Sequence, residues 1–101
     1  MKINLRLYGP CVVRVLHYRN GRPAVQIDHA ETGEPIVIPS ANVPCVPLDA
    51  DEFLVPIYRL DAWLLEDLRR CGRFIDTGLR LRHNFGDFEV WQLVDHGKVG
   101  A

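Results

Sequence analysis

The stretch Leu79-Arg80-Leu81-Arg82-His83-Asn84-Phe85-Gly86-Asp87-Phe88-Glu89-Val90-Trp91-Gln92-Leu93-Val94 alternates apolar and polar residues on both sides of a Gly-Asp pair. That is the pattern of two half-buried antiparallel strands joined by a tight turn. With Gly86 and Asp87 as a two-residue loop, Phe85 faces Phe88, His83 faces Val90 and Leu79 faces Val94, which makes one core face. The other face sets Arg82 against Trp91 and Arg80 against Leu93. Arginine on an indole gains cation–π energy, and interfaces concentrate both residue types. Trp91, Arg82 and Arg80 are therefore read as a candidate partner-binding cluster.

Upstream, the spacing predicts one helix over about 61–71. Asp61 stands where an N-cap belongs, Leu60 can pack on Leu65 as a staple, and Gly72 follows Cys71 as the left-handed terminator. Leu64, Leu65, Leu68 and Cys71 form its apolar stripe. Trp63 falls instead with Glu66, Asp67 and Arg70, and Glu66 precedes Arg70 by four residues in the favourable order. Trp63 and Arg70 join the candidate partner-binding residues on this ground.

The first half reads as further hairpins. Asn20-Gly21, between apolar runs at 11–18 and 23–29, predicts a type I′ turn. That turn sets Leu16 opposite Val25 and Val12 opposite His29, with Leu16, Val25, Ile27 and Val12 toward the core. Ala30 to Glu34 is a second turn and Pro35 to Ile38 a short strand, after which Pro39, Pro44 and Pro47 confine the chain to irregular or edge structure. An acidic loop, Asp49 to Glu52, precedes a strand from Phe53 to Tyr58. These elements predict an α+β fold: a twisted, mainly antiparallel sheet of hairpins with one packed helix.

At 101 residues the chain is read as one domain, 1–101, with a frayed tail at 95–101. Hydrophobic residues at 48% and charged residues at 25% are ordinary for a folded protein. The apolar runs are too short and interrupted for a membrane span, and the first residues lack a signal-peptide core, so the cytoplasm is expected. Cys11, Cys45 and Cys71 form no Cys-x-x-Cys pair and are read as reduced core thiols. The net charge of −1 conceals segregation, because residues 1–27 carry no acid while residues 28–67 carry nine acids against Arg59 alone.

Catalytic signatures are weak. Asp76-Thr77-Gly78 resembles the active-site triplet of retroviral-type aspartic proteases, which would make a homodimeric hydrolase through Asp76. Leu79 stands where that family has a small residue, and a turn between helix and hairpin accounts for the triplet equally well. His17, His29, His83 and His96 have no ligand spacing. No catalytic residue, metal site or cofactor is assigned, and the chain is not expected to be an enzyme. A small nucleic-acid-binding module using the two basic blocks is the main alternative, although a pI near 6.4 opposes it.

Tyr18-Arg19-Asn20-Gly21-Arg22, Glu31-Thr32-Gly33-Glu34-Pro35, Asn42-Val43-Pro44, Leu48, Glu52, Leu65, Leu68, Thr77 and Gly78 follow one another in an informative order. Over Tyr18 to Gly78 the chain resembles a domain-of-unknown-function family of short bacterial proteins carried on conjugative elements and phages. The resemblance implies an accessory protein of a mobile genetic element, a class that often inhibits host defence. Together with Trp63 and Trp91, which are read as standing outside the core faces, it makes binding to a host protein or protein complex, and inhibition of a host defence or regulatory function, the expected activity. Unpaired sheet edges also allow a homodimer.

Overall fold

A computed structural model describes residues 1–84 and 86–94. Phe85, expected on a core face, and the tail at 95–101 lie outside the described residues. The fold is α+β, with antiparallel strands and one α-helix, and its strands divide between two sheets. The first sheet is a meander of β1 (Lys2–Leu5), β2 (Gly9–His17), β3 (Pro23–His29) and β4 (Pro35–Val37). The second comprises β5 (Glu52–Pro56), β6 (Phe74–His83) and β7 (Gly86–Leu93) in the order β5-β7-β6. Between β5 and β6 run a 3₁₀ turn, Ile57–Arg59, and the helix α1, Ala62–Arg70. Asp61 occupies the N-cap position without a side-chain capping bond, and Gly72 takes the expected left-handed conformation with φ of 80°.

The main core joins both sheets and the helix. Ile3, Leu5, Cys11, Val13, Val25 and Ile27 from the first sheet meet Phe53, Val55, Phe74 and Trp91 from the second, with Leu64, Leu65 and Leu68 from α1. A smaller cluster of Leu54, Phe88 and Val90 lies on the other face of the second sheet, under Ala41, Val43, Val46 and Leu48 of the proline-rich segment. Arg22 holds that segment in place by donating to the carbonyls of Val43, Pro44 and Val46.

Both hairpin registers differ from the sequence expectation, for identifiable reasons. In the first, Tyr18 N–H donates to the Arg22 carbonyl and Gly21 N–H to the Tyr18 carbonyl, enclosing a three-residue loop. Only Gly21 of this loop has positive φ, 88°, whereas a type I′ turn needs two such residues. The extra loop residue moves the register by one, so Val15 faces Val25 and Cys11 faces His29. Cys11 and Val13 therefore point inward, and Leu16 is exposed.

In the second hairpin His83 pairs with Gly86 and Leu81 with Phe88, so Gly86 and Asp87 belong to β7 rather than to the turn. Asn84, at φ of 56°, supplies the left-handed residue. Gly86 is needed for space instead: a Cβ there would lie 2.3 Å from ring carbons of Tyr58. Further along, the register changes between Asp76 and Arg80. Asp76-Thr77-Gly78 is thus a bulge inside β6, not a turn before it, with Gly78 at φ of 86°. Gly78 N–H donates to the Asp76 carboxylate and Leu79 N–H to Thr77 Oγ1, which satisfies backbone donors in the middle of this edge strand.

Candidate interaction surface

The proposed Trp91 cluster is an interior feature. Trp91 is 1% exposed, in the central strand of the second sheet, with its ring centroid 5.8 Å from that of Phe74 and 6.4 Å from that of Phe53. The expectation that it faces outward with Arg82 and Arg80 is therefore corrected. Its cross-strand partners are Phe53 on β5 and Asp76 on β6, its cation–π partner is Arg69 at 5.8 Å, and its indole N–H donates to Glu89 at 2.9 Å. Arg82 instead pairs with Asp87 at 2.7 Å on the exposed hairpin. Periodicity misassigned Trp91 because both faces of this sheet are covered, so alternation no longer separates inside from outside.

Glu89 is the surprise of that interior, a buried carboxylate beside an aromatic core. Arg69 donates to both of its oxygens, at 2.8 and 2.7 Å, and Arg80 approaches at 3.3 Å. Arg80 also bonds Asp76, and Arg69 lies 3.7 Å from it. Burial pushes the Asp76 carboxyl up, but Arg80, the Gly78 amide and Arg69 together outweigh it and hold it below the usual carboxylate range. An aspartate so committed to arginines is poorly suited to sharing a proton with a second carboxylate, as the hydrolase reading requires. Burial likewise pushes the Cys11 and Cys71 thiols up, opposite to the direction an attacking thiolate needs. Cys45, expected in the core, is exposed.

The other predicted residues, Trp63 and Arg70, do share a surface. Trp63 is half-buried on the helix face that also carries Glu66, Asp67 and Arg70, with Arg70 3.4 Å from Glu66. Its ring lies 6.0 Å from that of Tyr8, in the tight turn between β1 and β2. Beside Tyr8 is Leu7; the two are 45% and 66% exposed. Arg6 fixes this tip to the helix. Its backbone N–H donates to Asp67 at 2.9 Å, and its guanidinium bonds Asp67 at 3.0 and 2.7 Å and Glu66 at 3.0 Å. Sequence reasoning missed Arg6, Leu7 and Tyr8, since sixty-one positions separate Arg6 from Asp67 and no local pattern links them.

The Arg6 side chain and amide hold the Asp67 carboxyl below its ordinary value. A carboxylate whose folded-state pKa is depressed contributes stability above its unfolded value and loses it as pH falls through the folded one. The clamp should therefore persist through neutral and mildly acidic pH and release only below the ordinary aspartate range. Carboxyl-carbon NMR should give Asp67 a depressed midpoint, which Arg6→Ala returns toward that of an exposed aspartate. An unchanged midpoint in that variant would remove the clamp from the argument.

Elsewhere more than half of the arginines are paired with carboxylates. Arg14 bonds buried Asp28, and Arg6, Arg69, Arg70, Arg80 and Arg82 also meet carboxylates. This leaves no continuous arginine stripe for a phosphate backbone among these residues. Among the described residues, no group of three or more His, Cys, Asp or Glu could hold a metal ion, and no helix is long and apolar enough to cross a membrane. The fold and surface thus define a small α+β chain of two antiparallel sheets and one helix, presenting a clamped aromatic-aliphatic tip. No family model, curated protein or solved structure matches it.

Proposed function

We propose that this chain is a non-enzymatic, cytoplasmic protein-binding protein, an accessory of a mobile genetic element that inhibits a host defence or regulatory complex by occupying its surface. The observation that carries the binding reading is the Leu7-Tyr8 tip, exposed yet locked against Trp63 by Arg6 and Asp67. A Tyr8 ring already set beside Trp63 loses little conformational entropy on docking. Arg70 and Glu66 supply a charged rim. The mobile-element and inhibitor parts rest on the family resemblance of Tyr18 to Gly78.

Affinity capture from host cells, comparing the native chain with a Tyr8→Ala, Trp63→Ala double variant, tests this reading. A stoichiometric host protein should be retained by the native chain. Loss of a hot-spot pair costs at least about 2 kcal/mol, roughly a thirty-fold weakening. Equal retention by a variant with unchanged thermal stability would move the interface elsewhere, and oligonucleotide binding that steepens at low salt would favour the nucleic-acid alternative.

A further inference from the structure

A cleft whose lining includes neither Trp63 nor Tyr8 is formed by residues on both sides of the core. It is about 720 Å³ in volume and opens between β4 with the following 38–42 segment on one side and Arg59-Leu60 on the other. Ile36, Val37 and Leu60 pack partly on the main core and leave an apolar floor, while Ile38 stands 52% exposed at the rim. Most polar groups in the wall are engaged with one another: Tyr18 Oη lies 2.9 Å from Ser40 Oγ, and Ser40 Oγ accepts from Val25 N–H at 2.9 Å. Arg59 differs. Its guanidinium donates only to the Ser40 carbonyl, at 3.3 Å, and it has no carboxylate partner among the described residues.

We infer that this cleft binds a peptide chain ending in an aliphatic residue, the side chain resting on Ile36, Ile38 and Leu60 and the terminal carboxylate on Arg59. Arg59 is exposed, so its free donors face water rather than a buried void. A guanidinium with no carboxylate partner at the edge of an apolar floor favours an anion joined to an apolar group, and its fork of donors matches a carboxylate. The cleft is open along one side. That shape accommodates one or two side chains of a peptide, whereas a long free acyl chain needs an enclosed pocket to bury most of its surface. Edge-strand addition is not the mode, because β4 spans only Pro35–Val37 and Pro39 follows it. The inference is independent of the Tyr8–Trp63 surface, so either can fail without the other.

The test uses the full ¹⁵N-labelled chain titrated with acetylated tetrapeptides ending in Val, Leu, Ile, Phe or Ala, each as free acid and as C-terminal amide, and with decanoate. At least one aliphatic acid peptide should give saturable shifts at the Ile36, Val37, Ile38 and Leu60 amides. Its amide counterpart should bind on the order of ten-fold more weakly, the scale of one charge-assisted contact. Arg59→Gln should abolish the acid-amide difference while leaving residual apolar binding, and Ile38→Asp should weaken both forms. Acid and amide peptides binding alike, no saturation by any peptide, or decanoate occupying the same amides more tightly than every peptide would each overturn the assignment. If Arg59→Gln fails to fold, the acid-amide comparison on the native chain and the Ile38→Asp titration decide the matter.

Discussion

Replacing Trp91 by alanine is expected to destabilise the protein by about 3–5 kcal/mol, the range for truncating a fully buried large aromatic side chain. Native domains are stable by only about 5–15 kcal/mol, so much of this chain's stability goes with one side chain. The reason is its position. Trp91 sits in the central strand β7, touches the Phe53 and Phe74 rings, and carries Arg69 over its face. Truncation would remove that packing and strip Glu89 of its indole donor. Trp91→Phe should cost less, because it keeps an aromatic body and loses only volume and the N–H bond. Denaturant unfolding should place Trp63→Ala well below Trp91→Ala in cost, since Trp63 is only half-buried. Comparable losses for the two would contradict the burial described above.

Glu89→Ala is the second large expected effect, about 2–4 kcal/mol. Removing one member of a buried charge network leaves partners unsatisfied, and the usual range for breaking a buried pair is about 3–5 kcal/mol. A value toward the lower side follows from exposure: Arg69 and Arg80 are partly solvated and can turn to water or to Asp76. The buried Trp91 N–H has no such recourse, and an orphaned buried donor costs about 1–3 kcal/mol. Glu89→Gln keeps an acceptor for the indole and should be intermediate. Equilibrium unfolding followed by far-ultraviolet circular dichroism reads the Glu89→Ala and Glu89→Gln losses. A Glu89→Ala loss under about 0.5 kcal/mol, the scale of an ordinary surface substitution, would show that the network contributes little.

The helix was legible almost to the residue, because its signals are local: Asp61 before it, the Leu64-Leu65-Leu68 stripe within it and Gly72 after it. The hairpins were legible as elements but not in register. Asn20-Gly21 and Gly86-Asp87 both look like two-residue turns, yet the first sits in a three-residue loop, and in the second Gly86 is a strand residue approached closely by the Tyr58 ring. The strand Lys2–Leu5 went unread as an element although Ile3 and Leu5 alternate correctly, since four residues are too few for periodicity to stand out. Of the candidate site, Trp63 and Arg70 share the surface now described, while Trp91 does not.

By itself the sequence determined the antiparallel hairpins, the single helix and the α+β class, all of which follow from spacings of a few residues. Tertiary structure alone decided that the strands form two sheets, that the Trp91 face turns inward, and that Arg6 reaches Asp67 to lock an exposed Leu7-Tyr8 tip against Trp63. The physical reason is one of range. Capping, turns and alternation act within a turn of helix or a pair of strands, but which face of a sheet is covered depends on what else must bury its apolar area. In this chain the second sheet lies between the main core and the proline-rich segment, so inward and outward are no longer marked by polarity along the strand.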